Sequence, residues 1–346
     1  MRTRGKYTAA IVAAVLAGGI LAGAPAAEAA SGCQWAPTAL PVPDGYRIYD
    51  LGSGDGAGAI AGTLQPASIG GTRAGVVWRA DGPHLLGAAF GLNTELADVN
   101  ASGVAVGWYT DPLLVFEDFP LHHAVRYTGG HFERLPDPPG YTNTKAFAVN
   151  ARGDILGAAG AAAVNGVNTT VVWPADAPGT VEVLLPSPAW QVQGGIDDNG
   201  TVAAAVLDWS TGGHLVGQVL PKGVPAIRMA SPVPSGDVVP TVITVHGIAG
   251  YAGYAGAFLW NHDGSVDRAL PGLKHAAAMN SAGAVVGEAD DGSTLFLPPD
   301  GGPAQTVAQA GQNAAPRELA ENGDVFGTAT VYSPDPAKAV VRWHCG

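Results

Sequence analysis

AFAVNARGDILGAA, residues 146–159, is the stretch on which the reading of this chain turns. The apolar run AFAV halts at Asn150, a residue type whose side chain caps turns by bonding backbone amides two positions on. Gly153 supplies the awkward dihedrals of a tight turn, and Asp154-Ile155-Leu156 carry the chain back to a second glycine, Gly157. The pattern predicts a β-hairpin. Imperfect copies of its five-residue core run from end to end: GAIAG at 58–62, GVAVG at 103–107, GDILG at 153–157, GTVAA at 200–204, HGIAG at 246–250, GAVVG at 283–287 and GDVFG at 323–327. Their spacings are 45, 50, 47, 46, 37 and 40 residues. Three positions before each leading residue stand Asp55, Asn100, Asn150, Asp197, Ile243, Asn280 and Ala320, so five of the seven can cap a turn through a side-chain oxygen. The fifth copy is degenerate.

A second hairpin follows each first one. AGVVWRADG (74–82), HAVRYTGG (123–130), TTVVWPADAPG (169–179), GAFLWNHDG (256–264) and AVVRWHCG (339–346) are short β runs, most ending in an aromatic residue and a glycine turn. Another strand then ends in Leu-Pro or a similar pair, as in FERLP (132–136) and VEVLLP (181–186). Four strands per unit at a period of 40–50 residues predict the blades of a β-propeller. Helical repeats share that period, but a 3.6-residue apolar pattern is absent throughout. The expected fold is all-β: a seven-bladed propeller of four-stranded antiparallel blades.

Composition agrees. Charged residues make up 13% of the 346, against 50 Gly and 27 Pro, a mix for short strands and tight turns rather than long helices. Residues 1–29 read as a signal peptide: Arg2, Arg4 and Lys6, an apolar run to about Ala24, then Ala27-Glu28-Ala29. Residues 30–346 would form the single propeller domain, secreted and, once the signal is cleaved, free of the membrane. Two other readings of this start stay open: a retained anchor, for which the run is short, and a lipoprotein ending at Ser31-Gly32-Cys33, where Ala30 stands in place of the usual Leu. Without residues 1–29 the chain carries 14 basic and 28 acidic residues, a balance that disfavours nucleic acid or anionic lipid as partner.

The units resemble the extracellular HAF repeat family of secreted propellers, which carry a His-Ala-Phe-like run before a Trp. The matching runs here are His123-Ala124-Val125 and Ala257-Phe258-Leu259-Trp260, with Asn-x-x-Gly turns between them. The resemblance spans nearly all of residues 40–346. It implies architecture and export, and no reaction.

Trp78, Tyr127, Trp173, Trp260 and Trp343 occupy one repeat position and are expected to pack between blades. HExxH, CxxC, P-loop and Gly-x-Ser-x-Gly motifs are missing. GSGDGAG (52–58) precedes a strand, not a helix, and belongs to the first turn. His122 and His123, adjacent on a strand, would face opposite ways. Asp197-Asp198-Asn199 and Asp290-Asp291 lack a full calcium loop. No cofactor and no metal is expected, and the protein is expected to be a monomer.

Residues outside the repeat template are more telling. Loops joining the two hairpins of a blade, and loops to the next blade, emerge on one face. The longest of the first kind is WYTDPLLVFEDFPLH (108–122), with Trp108, Tyr109, Asp111, Glu117 and Asp118; others hold Asp208, Trp209 and Tyr332, and inter-blade loops hold Tyr141 and Trp190. Aromatic faces for sugar C–H groups beside carboxylates for hydroxyls point to a glycan, and the same aromatics suit a protein partner. Packing of the long loop by its own aromatics is the plainer alternative. The reading is a binding or interaction module; the alternative is a polysaccharide-active enzyme, a glycosidase or lyase using Asp111, Glu117, Asp118 or Asp208.

The last unit stops after three strands. CQWAPTALPVPDGY (33–46) reads like its missing fourth, since TALPVPDGY parallels ERLPDPPGY (133–141). Residues 33–40 should then pair with 339–344 and bring Cys33 within disulfide reach of Cys345.

Overall fold

The second glycine of the repeat exists because of a kink in the strand beside it. In the computed structural model the first strand of every blade carries a β-bulge, at Ile48/Asp50, Leu96/Asp98, Ala146/Ala148, Gln193/Gly195, Pro240/Val242, Ala276/Ala278 and Pro316/Glu318. The bulge swings a carbonyl over the neighbouring strand. A Cβ at Gly107, Gly157, Gly250, Gly287 or Gly327 would lie 1.9–2.3 Å from the oxygen of Glu95, Lys145, Val239, His275 or Ala315. Blade 4 carries Ala204 at this place, against a first strand with two glycines at its bulge, Gly194 and Gly195. The leading glycine has a different cause: Gly153 takes φ +92°, the left-handed position of the turn.

The structure describes residues 33–346 except 69, 117–118, 161–167, 186–190, 235, 310–311 and 333–335. They form seven four-stranded antiparallel sheets. Blade 1 runs Tyr46–Gly54, Ile60–Pro66, Ala74–Arg79 and Gly82–Gly87; blade 2, Thr94–Val99, Ala105–Phe116, Phe119–Thr128 and His131–Arg134; blade 3, Asn143–Val149, Ile155–Gly160, Asn168–Trp173 and Glu182–Leu185. Blade 4 runs Gln191–Ile196, Val202–Asp208, His214–Leu220 and Ile227–Arg228; blade 5, Val238–Thr244, Gly247–Ala252, Ala257–Trp260 and Val266–Ala269; blade 6, His275–Met279, Val285–Glu288, Thr294–Leu297 and Gln305–Ala308. Blade 7 is Ala315–Leu319, Val325–Tyr332 and Pro336–Cys345, completed by Trp35–Ala39 from the other end of the described chain. Among the described residues the helical elements are two 3₁₀ turns, Ala89–Gly91 and Trp209–Thr211.

The turn residues act as read. Asp55, Asn100, Asp197 and Asn280 each accept backbone N–H bonds from two and four residues on, and Asn150 accepts from Asp154 N at 2.8 Å. The degenerate fifth copy is a two-residue turn, Val245-His246, with Thr244 paired directly to Gly247 and its Oγ1 accepting from His246 N at 3.2 Å.

Between blades lie apolar seams, and the repeated aromatic is their centre. Trp78 packs with Leu40, Val42, Phe326 and Val340 of the blade 7 side; Trp173 with Val106, Ala124 and Leu135 of blade 2; Trp260 with Ala203, Val219 and Met229 of blade 4. Each indole also donates its N–H to the stretch after the previous blade's fourth strand: Trp78 to Pro41 O (2.7 Å), Trp173 to Pro136 O (2.8 Å), Trp260 to Ala230 O (2.8 Å). Pro41 and Pro136 thus do the same work, as the likeness of TALP to ERLP requires.

Closure follows the expected pairing, with Trp35 opposite Cys345 and Ala39 opposite Val341, and Leu40 N donating to Val340 O at 2.9 Å. Cys33 and Cys345 form a disulfide with Cα atoms 5.4 Å apart, 312 residues apart in sequence. Disulfides persist in oxidising compartments, which places the protein outside the cytoplasm. Among the described residues no helix is long and apolar enough to cross a membrane.

The stretch 108–122 differs from the expected loop. It is an extended hairpin, with Tyr109 opposite His123, Asp111 opposite Leu121 and Phe116 opposite Phe119. Its Trp, Tyr, Thr, Val and Phe content favours strand, and it simply lengthens the second and third strands of blade 2.

Three outcomes follow from this geometry. Gly157→Ala should lose about 1–3 kcal/mol, read as a lower melting temperature, because the backbone oxygen and the Trp173 ring leave no room for a methyl group. Cys345→Ser should leave the far-ultraviolet circular dichroism unchanged while lowering stability by up to about 5–6 kcal/mol, the chain-entropy value for so long a loop. Thiol titration of the unfolded, unreduced wild type should find no free thiol.

Candidate functional site

The strands alternate in direction, so hairpin-joining and inter-blade connections share one face, and the Asx turns share the other with the later glycine turns. The first face holds the residues singled out in the sequence. Trp209 is 76% exposed, on a 3₁₀ turn held by Asp208, whose Oδ1 accepts from Ser210 N (2.9 Å) and Ser210 Oγ (2.6 Å). Those bonds hold the Asp208 carboxyl below its usual range. Two exposed aromatics on the same face went unread in the sequence: Tyr254, fully exposed in the blade 5 hairpin connection, and Phe90, 59% exposed between blades 1 and 2. Phe90 takes φ +54°, a strained value for a residue with a side chain, and meets Tyr109 edge-on at 5.2 Å. The signal for Tyr254 was its setting, GYAGYAG, which has more glycine than a packed strand needs.

The other candidates lie deeper. Trp108 is half-buried between blades 2 and 3, edge-to-face with Phe147 at 5.9 Å and with Lys145 Nζ 4.7 Å from its ring centroid. Tyr109 is buried on the opposite face of the strand, against His123. Tyr141 packs into the seam around Trp173, and Asp111 is half-buried in the hairpin. Tyr332 ends the second strand of blade 7, paired with Pro336. Glu117, Asp118 and Trp190 lie outside the described residues. The structure therefore places Trp108, Tyr109 and Asp111 along one strand of blade 2, with Trp108 and Tyr109 on opposite faces of it, while Asp208 and Trp209 stand on blade 4.

His122 and His123 do face opposite ways. Burial, with Lys145 beside it, holds His122 down at about 4, and burial also lowers His123 and Lys145. His122 is therefore neutral at physiological pH.

The opposite face holds a feature that the sequence reading missed. All seven turns that follow the first strands surround a cavity of about 300 Å³ on the propeller axis. Its rim is stitched blade to blade: Asn100 Nδ2 donates to Asn150 O (2.9 Å), Asn150 Nδ2 to Asp197 O (2.8 Å) and Asn280 Nδ2 to Ala320 O (3.3 Å). Ala151 N donates to Asp198 Oδ1, and Ser281 N to Glu321 Oε1, both at 2.9 Å. The turn residue thus has two roles, its oxygen shaping its own turn and its amide reaching the next blade.

Two of the acids that line the cavity stand on first strands, at the bulge. Asp98, 6% exposed, accepts from Val149 N (2.8 Å) and Val99 N (2.9 Å), and Glu318 accepts from Gly54 N (3.1 Å). Burial raises both: Asp98 well above the carboxylate range, and Glu318 to about 7. Glu318 keeps some contact with solvent, but protein closes around its carboxyl, and Asp55 and Glu321 add repulsion. The sequence carried a signal for them. Two positions before the turn residue, blades 3, 4 and 6 have Ala148, Gly195 and Ala278; blades 2 and 7 have carboxyls instead. Among the described residues no three His, Cys, Asp or Glu groups converge to hold a metal ion.

No family model matches the chain, and no curated protein matches it in sequence. Solved structures do match in shape. One is a streptogramin B lyase, at TM-score 0.57 and 12% identity, covering 92% of this chain and 100% of that one. Another is a puromycin-hydrolyzing peptidase of Mycobacterium tuberculosis, at TM-score 0.55 and 12% identity, covering 88% of this chain and 53% of that one, so that the propeller spans about half of the peptidase. Likeness at such identity shows the fold alone.

A buried acid with a raised pKa makes stability fall as pH rises, because only the folded state still holds the proton between about 4.5 and 7. Glu318→Gln mimics the protonated form. It should become more stable relative to wild type between pH 5 and pH 8.5, by up to about 3 kcal/mol, measured by urea unfolding at both pH values.

Proposed function

We propose that this protein is a secreted binding module that holds a glycan against the aromatic face of the propeller. The observation that carries the reading is the exposure of Trp209, Tyr254 and Phe90, aromatic side chains presented to solvent on one face of a rigid scaffold. Burying such rings against water is favourable only when something covers them, and aromatics dominate the energetics of recognition surfaces. A flat ring offers its face to the C–H groups of a sugar, and the polar groups beside it take the hydroxyls. Ser210, Thr211 and His214 stand next to Trp209 in sequence.

Among the described residues of this face, the carboxyls favour binding over hydrolysis. A glycosidase needs two, roughly 5–9.5 Å apart across a cleft, one of them with a raised pKa. On this face Asp208 is committed to its own turn and held low. Asp111 lies half-buried on a different blade. The likeness to lyase and peptidase propellers rests on fold, which hosts many unrelated functions.

The test is a glycan array on the disulfide-bonded protein, followed by product analysis on every hit. Trp209→Ala and Tyr254→Ala should each weaken binding by about 1–3 kcal/mol and leave the melting temperature unchanged, whereas Trp108→Ala should lower the melting temperature. A blank array with capture of a protein ligand on the same residues would replace the glycan by a protein partner. Turnover of a bound glycan would restore the enzyme reading.

A further inference from the structure

The axial cavity on the opposite face carries a second site. We propose that it binds a primary alkylammonium group among the carboxyls and carbonyls of its rim. Six acidic residues line it, Asp55, Asp98, Asp197, Asp198, Glu318 and Glu321, against one basic residue, Arg317. Asp197 supplies an independent pointer. It is 4% exposed and its Oδ2 accepts no hydrogen bond, with His262 Nε2 of blade 5 3.6 Å away.

The arrangement selects the kind of cation. A metal ion needs several ligands converging on one point, and among the described residues no three His, Cys, Asp or Glu side chains do so. The carboxyls are instead spread round a ring, with backbone carbonyls and Asn100, Asn150 and Asn280 between them. A slim organic cation with several N–H donors can span that ring, while a point charge can satisfy only one part of it. The volume, about 300 Å³, suits a short aliphatic amine or one lysine side chain.

Burial comes first in holding the Glu318 proton up to about 7, and repulsion from Asp55 on the first blade and Glu321 on its own blade adds to it; Asp98 on the second blade, itself raised, and Arg317 are the other titratable groups of the rim nearby. A cation beside Glu318 opposes that repulsion and favours the ionised form. The O–H bond breaks, the proton leaves to solvent, and the carboxylate takes an N–H of the ligand. Affinity must then rise with pH through about 7.

Isothermal titration calorimetry tests this on the full disulfide-bonded protein. The probes are putrescine, as a free amine, the tripeptide Gly-Lys-Gly, as a lysine on a protein partner, and 1,4-butanediol, as the uncharged control. Putrescine or the peptide should bind one to one, at least tenfold tighter at pH 8 than at pH 6, and runs in two buffers of different ionisation enthalpy should register proton release. Glu318→Gln should remove the proton release. Glu321→Gln, on the exposed rim, should weaken binding several-fold without threatening the fold. Trp209→Ala should change nothing, which separates this site from the aromatic face. Equal binding of butanediol, an affinity flat in pH, or failure of both amines to bind a folded wild type would overturn the proposal.

Discussion

A ring of sheets is stable only if its last blade meets its first, and here that junction is made by a strand from the far end of the chain. Each apolar seam needs a blade on both sides. The seam between blades 7 and 1, built from Phe326, Val340, Trp78 and Leu64, also takes Leu40 and Val42 from the segment that follows the closing strand. Without Trp35–Ala39 the edge of Pro336–Cys345 would stand unpaired, an open invitation to another strand. The Cys33–Cys345 bond fixes the two strands at their turn end. Near the same edge Asp324, buried, takes both Arg342 and His344, so the closing blade is tied by charge as well as by covalent bond.

The architecture was legible because its causes are local and repeated. Asn150 shapes a turn through its own side chain, Gly157 lies under the carbonyl of Lys145 one strand away, and Trp173 reaches one blade back. Each cause leaves a mark at a fixed spacing. Closure was legible for the same reason, since Pro41 had to look like Pro136 to receive the same indole N–H. The site was less so. Whether an aromatic in a non-template stretch is exposed depends on how far a hairpin extends, and 108–122 is rich in residues that suit either strand or loop. Trp108 and Tyr109 went into seams while Trp209, held out by the turn that Asp208 caps, did not. Neither Asp98 nor Glu318 has a sequence neighbour that announces a cavity. Only the ring places them together, and only their burial gives them unusual acidity.

The two faces of the propeller differ in freedom. Connections on the aromatic face are tied across blades at single points, Asn93 accepting from Arg73 N and Asp237 from Leu215 N, and between those points their length and content can drift. Rigid strands carrying variable loops are the usual way to present a binding surface. The Asx-turn face is constrained at nearly every position by a hydrogen bond to itself or to its neighbour.

That constraint gives Asp98 and Glu318 their meaning. Burying an acid costs free energy, and it is the reason their proton is held so firmly. Yet the fold does not demand an acid at their place on the first strand. Ala148, Gly195 and Ala278 stand there in other blades, and the junctions from blade 3 to 4 and from blade 6 to 7 are held by Asn150 and Asn280 with the outer contacts Ala151–Asp198 and Ser281–Glu321. An amide at the rim can do the stitching without any buried charge. Blade 7 has Ala320 where that amide would be, so Glu318 reaches Gly54 of blade 1 in its stead and can be read as a substitute clamp. Blade 2 cannot be read so, because Asn100 is present and bonded to Asn150, and Asp98 bonds Val149 in addition. Asp98 is thus a second tie where one suffices. An acid kept at a destabilising position, with its structural work already done by a neighbour, belongs to what the cavity holds.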